Sequence, residues 1–253
     1  MTTRTGDLTK PRRDTSRRTG RNSRLSGFLR ASAANGRLPA FLLSVGLTVL
    51  LFGFLFSRDF TVRTVVVRGN TLAYADAIVA ASGAIGQPIF RLNTDVVARR
   101  VAAYPAVAYA DVSAQLPDRL VVQLHERTPV LDWQVGKQSV LVDDHGWVVA
   151  TGFDAKLPRV VENTGTLPVV GSQLPSGLIA ADQAILSRLG AQVSAMEYDP
   201  VSGLTAQLTD GREIVFGGSD RIPLKLNVAV AALALSDPWT RLDVREPDRP
   251  YYQ

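Results

Sequence analysis

Few side chains in this 253-residue sequence are of a type that does chemistry. It has two histidines and no cysteine, which excludes cysteine nucleophiles and thiolate metal sites. His125 falls in a stretch of strand-like alternation and His145 in a polar turn, neither with a ligand-type partner at a useful spacing. Asp143-Asp144-His145 has the composition of a metal cluster, but its ending in Gly146 marks it as a hairpin turn. There is no G-x-S-x-G nucleophile elbow and no phosphate-binding glycine loop. Gly217-Gly218-Ser219-Asp220 reads as a strand exit into a helix N-cap. Glu126 and Asp132 are carboxylates that a fold can bring together but that no spacing pairs. No catalytic residue, metal or cofactor is expected.

Binding chemistry has a better claim. A final strand is predicted over Thr240–Glu246, closed off by Pro247 and Pro250. As an edge strand it would leave N–H and C=O groups open to a partner strand. Alternation puts Leu242 and Val244 on one face and Arg241, Asp243 and Arg245 on the other. Tyr251 and Tyr252, just past the prolines, add aromatic surface of the kind enriched at interfaces. The same residues also describe an ordinary closing strand with a solvated end, and residue types alone do not separate the two.

The elements that would carry such a surface begin at a membrane. Residues 1–37 hold ten arginines and lysines against two acids, so the rest of the chain carries −3 of an overall +5. This segment has almost no large apolar residues before Leu25, which predicts a disordered basic tail. Leu38–Phe56 contains no charge. At 1.5 Å per residue it would span roughly 28 Å, the thickness of a bilayer core. The excess of positive charge before it predicts a cytoplasmic N-terminus and an exported remainder. The exit Phe56-Ser57-Arg58-Asp59 is not a signal-peptidase site, which favours an uncleaved anchor.

Beyond the anchor the pattern reads strand (60–70), helix (Tyr74–Ser82, closed by Gly83), helix (from Asn93-Thr94-Asp95, apolar face Val96, Val97 and Val101), then strands over 107–116 and 119–127. This β-α-α-β-β order predicts two short helices covering one face of a small sheet. From Thr128 onward strands dominate: Val130–Val135, Gln138–Val142, Trp147–Ala150, weaker segments at Leu157–Val161 and Pro168–Val170, then Val193–Tyr198, Leu204–Leu208 and Glu213–Phe216. Helices are predicted over Ser176–Leu189 and Leu224–Leu235. The fold class is α+β, with domains at 57–127 and 128–253.

These residues in this order resemble the FtsQ/DivIB family of bacterial cell-division proteins, whose anchor is followed by a POTRA domain and a β-rich domain. The POTRA pattern is carried by Val65-x-Val67-x-Gly69-Asn70, Gly86-x-x-Ile89, Asp95, Arg99, Pro105-x-Val107, Ala110-x-Val112, Pro117-x-x-Leu120 and Glu126-Arg127-x-Pro129. The β-domain echoes are Leu141-Val142-Asp143-x-x-Gly146, Leu167-Pro168, Gly211-Arg212, Lys225 and Asp243-Val244-Arg245. The resemblance implies a non-catalytic scaffold of the division machinery in the cell membrane, concentrated at the septum. It also implies FtsB-like and FtsL-like partners, bound through the last strand region (Arg241, Leu242, Asp243, Val244, Arg245, Tyr251 and Tyr252). The alternative, a POTRA-type chaperone or assembly factor for exported proteins, predicts several POTRA repeats and a β-barrel, which the sequence lacks.

Overall fold

The computed structural model describes residues 37–55, 58–235 and 238–253. The basic tail expected over 1–37 lies, up to residue 36, outside the described residues, as does Phe56 at the end of the apolar run. The chain divides into two compact units with the boundary after Ser57. Among its described residues the first contains the helix α1, Arg37–Leu55. Its large side chains from Phe41 to Phe54 are all at least 44% exposed. Among the described residues no helix is long and apolar enough to cross a membrane; in sequence the uncharged run continues past α1 to Phe56.

The second unit is mixed α+β, with two sheets. The first sheet follows the expected β-α-α-β-β order: β1 (Thr64–Arg68), α2 (Ala75–Ser82), α3 (Thr94–Ala102), β2 (Val107–Gln115) and β3 (Arg119–Glu126). β3 lies in the middle, parallel to β1 and antiparallel to β2. Its residues Leu120, Val122 and Leu124 pack on Ile78 of α2 and Val97 and Val101 of α3, the apolar stripes that make two short helices stable. Capping follows the sequence: the Asn93 side chain accepts from the N–H groups of Asp95 (3.0 Å) and Val96 (3.2 Å). Gly83 closes α2 at φ +57°, the left-handed conformation that favours glycine. β1 is shorter than the expected 60–70, because Arg58–Phe60 forms a 3₁₀ turn. Val62 instead exchanges hydrogen bonds with Gln87 (2.9 Å) and Gly86 (2.8 Å).

The second sheet has nine strands: β4 (Pro129–Val135), β5 (Gln138–Asp143), β6 (Val148–Thr151), β7 (Arg159–Glu162), β8 (Val193–Asp199), β9 (Gly203–Leu208), β10 (Glu213–Gly217), β11 (Arg241–Asp243) and β12 (Tyr251–Tyr252). Their spatial order is β12-β11-β10-β9-β8-β7-β4-β5-β6. Helices α4 (Leu178–Leu189) and α5 (Ile222–Leu233) join one core with Trp133, Met196, Leu204, Ile214, Phe216 and Leu242. The buried Trp133 indole donates to Glu162 at 2.9 Å, so its N–H is not stranded. Gly203, at φ +78°, begins β9 so close to the Gly217 backbone that a Cβ there would collide with it.

Three expectations are corrected. Pro168–Val170 is not a strand; the following residues Gly171 and Ser172 bond to Val148 (2.8 and 2.9 Å) and cover that end of β6. Neither Ser219 nor Asp220 caps α5. Lys225, 1% exposed, draws Asp220 (3.1 Å) and the Gly218 carbonyl (3.0 Å) onto its ammonium, and the N-cap falls to Arg221 at φ +53°. α5 therefore starts and ends two residues earlier than predicted. α4 begins at Leu178 with Gly177 as its N-cap rather than at Ser176.

Two neighbouring residues close the first sheet and open the second. The Glu126 carboxylate accepts from the backbone N–H groups of Thr71 (2.8 Å), Leu72 (2.9 Å) and Ala73 (2.7 Å). The Arg127 guanidinium donates to buried Asp143 at 2.8 Å and lies over the Trp147 ring at 5.3 Å. Glu126→Ala removes the shared acceptor. Hydrogen exchange at residues 71–73 is expected to speed up at least about tenfold, with a stability loss of about 2 kcal/mol.

Asp182 is the exception among buried charges. It is fully buried on α4, neither carboxylate oxygen has a hydrogen-bond partner, and burial raises its pKa from 3.8 to about 7. The folded state therefore holds a proton that the unfolded state releases, so stability falls as pH rises between about 4 and 7. Across that window the loss is about 4 kcal/mol. Asp182→Asn is expected to flatten this dependence, with stability similar at pH 4 and higher than the native chain by about 4 kcal/mol at pH 8. Urea unfolding at the two pH values measures both.

Candidate partner-binding edge

The closing segment differs in one decisive way from the strand expected over Thr240–Glu246. β11 covers only Arg241–Asp243 and is not an edge: it runs parallel to β10 and antiparallel to β12. The edge of the sheet is β12, Tyr251–Tyr252, after Pro247 and Pro250 have turned the chain back. Val244 lies past β11, and its N–H donates to Val215 at 2.9 Å, so the chain stays tied to β10 there.

The alternation of side chains is as expected. Leu242 and Val244 are buried in the core, while Arg241 and Arg245 are exposed. Arg241 pairs with Glu213 across to β10. Arg245 grips Asp243 through Nε (3.0 and 2.9 Å) and Nη2 (2.6 Å), which lowers the Asp243 pKa. Leu242 and Val244 therefore serve the core, and the two arginines are committed to neighbours. What remains open is Tyr251 and Tyr252, 62% and 53% exposed. Beside them Asp243, Arg245, Glu246, Arg249 and Tyr251 line a shallow polar depression.

The register fixes which backbone groups face outward. Gln253 exchanges hydrogen bonds with Arg241, N–H to carbonyl at 3.0 Å and 3.3 Å, while Leu242 stands opposite Tyr252. Hydrogen-bonded and non-bonded pairs alternate in an antiparallel ladder. The N–H and C=O of Tyr252 therefore point away from β11, off the end of the sheet. Sequence reasoning placed the edge one strand too early. The signal for β12 was the aromatic pair itself, too short to register as a strand.

The other candidates resolve into structural roles. The ligand atoms of Asp143, Asp144 and His145 lie within 4.8 Å of one another. Both Asp143 oxygens are occupied, however: Oδ1 by the N–H groups of His145 (3.0 Å) and Trp147 (2.7 Å), Oδ2 by Arg127. The triplet is a turn that braces the junction. His125 stacks on Tyr109 (centroids 4.0 Å) and contacts Asp111 at 3.1 Å on the first sheet. Glu126 and Asp132 do not form an acid–base pair, since Glu126 holds the 71–73 loop and Asp132 accepts from Arg159 at 2.8 Å.

Comparison with known proteins agrees with this architecture. Residues 60–127 match the model of the POTRA domain, FtsQ-type, and residues 132–245 that of the cell division protein FtsQ/DivIB, C-terminal. The cell division protein FtsQ of Chloroflexus aurantiacus is 30% identical over 232 residues, covering 89% of this chain and 85% of the relative. That of Chloroflexus aggregans is 31% identical over 226 residues, 87% and 83%. That of Mycolicibacterium smegmatis is 33% identical over 212 residues, covering 82% of this chain and 61% of the relative. With a POTRA sheet, a nine-stranded second sheet and this likeness over most of its length, the chain belongs to the FtsQ/DivIB family of cell-division proteins.

Proposed function

We propose that the chain is a non-catalytic scaffold of the division machinery that recruits FtsB-like and FtsL-like partners by accepting a strand at β12. The observation that carries this reading is the outward-facing N–H and C=O of Tyr252 at the end of the nine-stranded sheet, on a strand whose two tyrosines, Tyr251 and Tyr252, are exposed. An added strand satisfies those groups, and the tyrosines supply contact area at low entropic cost. Arg241, Leu242, Asp243, Val244 and Arg245 act one layer in, by fixing the position of β12. The reading also draws on the family, whose members are division proteins by name.

The same proposal places the chain in the plasma membrane at the septum. Support comes from the uncharged run Leu38–Phe56 and the basic excess before it, with residues 1–37 in the cytoplasm and domains 57–127 and 128–253 outside. No cofactor enters the role.

A proline at Val244 would break the bond to Val215 inside the sheet and so unfold the region rather than test the edge. Tyr252→Pro removes the outward N–H and leaves the Gln253–Arg241 pair in place. In pull-downs of the detergent-solubilised full-length chain, this variant is expected to retrieve at least about tenfold less of the small coiled-coil division proteins than the native chain. Equal retrieval moves the binding site off β12, and retrieval of no division protein by the native chain overturns the scaffold reading.

A further inference from the structure

We infer that Arg221 is a positioning residue for the sheet edge: its guanidinium clamps the turn between β11 and β12 and so holds β12 ready for a partner strand. The inference rests on β12 being the binding edge.

Backbone strain marks the residue. Arg221, at φ +53°, is the one non-glycine among the described residues with a positive φ. That conformation crowds Cβ against the backbone and is ordinarily left to glycine. Its origin lies in the neighbouring lysine. Buried Lys225 binds the Asp220 carboxylate (3.1 Å) and the Gly218 carbonyl (3.0 Å). Arg221 is left to turn the chain into α5, its carbonyl accepting from the N–H groups of Leu224 (3.0 Å) and Lys225 (3.1 Å). Glycine would make that turn without strain, and the exposed Arg221 side chain adds little to the core. What the arginine adds is reach: Nη2 donates to Asp248, and Nη1 lies 3.9 Å from Glu246.

Both carboxylates belong to residues 244–250, which carry the chain from β11 round to β12. The start of this turn is tied to β10 through Val244, its middle is closed by the Arg249 N–H on the Glu246 carbonyl (2.9 Å), and Pro247 is buried. β12 itself sets only two residues opposite β11. So short a strand keeps its register only while both ends are held. Gln253 holds one end, its carbonyl accepting from Thr240 (2.6 Å) and Arg241 (3.3 Å). The Arg221 clamp holds the other through the turn. An exposed ion pair adds little to global stability, but here it acts on a local equilibrium between docked and frayed β12. A partner that meets the frayed strand has to order it first and binds more weakly.

On the detergent-solubilised full-length chain, Arg221→Gly is expected to speed hydrogen exchange at residues 251–253 at least about fivefold while leaving the urea midpoint unchanged or raised. Asp248→Ala, which leaves the strained residue in place, is expected to give the same acceleration, and the double variant no more than either alone. Arg249→Ala, in the same turn but outside the clamp, is expected to exchange at the native rate. Unchanged exchange in both single variants, an additive double variant, or a urea midpoint that falls with Arg221→Gly overturns the clamp. In pull-downs Arg221→Gly is expected to retrieve at least about threefold less of the small coiled-coil division proteins. Accelerated exchange with undiminished retrieval upholds the clamp and overturns β12 as the binding edge.

Discussion

The arrangement of the folded unit depends on two adjacent side chains reaching in opposite directions. Glu126, the last residue of β3, gathers three backbone N–H groups of the loop that leads into α2. Arg127 reaches forward to Asp143 and the face of Trp147, and its own N–H bonds the Ala106 carbonyl at 2.8 Å. Only Thr128 then separates Arg127 from Pro129, the start of β4, where the ring fixes φ. A carboxylate accepting three N–H groups and a guanidinium paired to a buried carboxylate are among the stronger hydrogen-bonded arrangements in water. The link between the sheets is thus short and held by the bonds of Glu126 and Arg127. Asp143 shows the economy of the arrangement: its second oxygen shapes the turn at residues 143–147, so the residue that resembles a metal ligand in sequence is occupied in joining the sheets.

The second sheet and its helices bury Asp132, Asp143, Glu162, Asp182 and Lys225, and these groups differ in what they do. Asp132 is held by Arg159, whose guanidinium also lies over the Phe153 ring at 5.2 Å. Lys225 is satisfied by Asp220 and a carbonyl and thereby shapes the entry to α5. A buried ion pair adds little net stability, since desolvation offsets most of its attraction, but losing one partner is costly. These pairs therefore specify geometry: the Lys225 interaction sets the start of α5, which packs behind β10 and β11. Asp182 has no such partner and serves no geometric purpose visible in its surroundings; it is a cost the core absorbs.

Most of this fold is legible in the sequence because it rests on local signals. Asn93 capping α3, Gly83 ending α2 and the β-branched density of β1 are each decided within a few residues, and the structure follows them. The departures come from non-local contacts. α5 begins early because a lysine one turn inside it competes for the residue that would have capped it. Pro168–Val170 is apolar enough for a strand, yet the hydrogen bonds to β6 are taken by the residues that follow. The edge was misplaced for the same reason. Alternation correctly assigns Leu242 and Val244 to the core, but it carries no information about which strand lies alongside. Pairing is a property of the sheet, and a two-residue strand beyond two prolines leaves almost no periodic trace.

Under the proposed role, the shortness of β12 bears on how a strand-accepting edge avoids pairing with copies of itself. A long, flat, exposed edge recruits any unpaired strand, including another copy of the same chain. Here the terminal strand offers one outward N–H and one outward C=O, at Tyr252, with charged residues of the 243–249 segment beside it. Two backbone bonds are too few to drive self-association, because they barely offset the ordering of a free peptide. A partner that binds here must bring side chains that use the tyrosines and the polar depression as well. Backbone pairing then sets the register of the complex, while side-chain contacts supply affinity and exclude other strands. That division of labour suits a scaffold, which must hold a particular partner at its edge without becoming a template for aggregation.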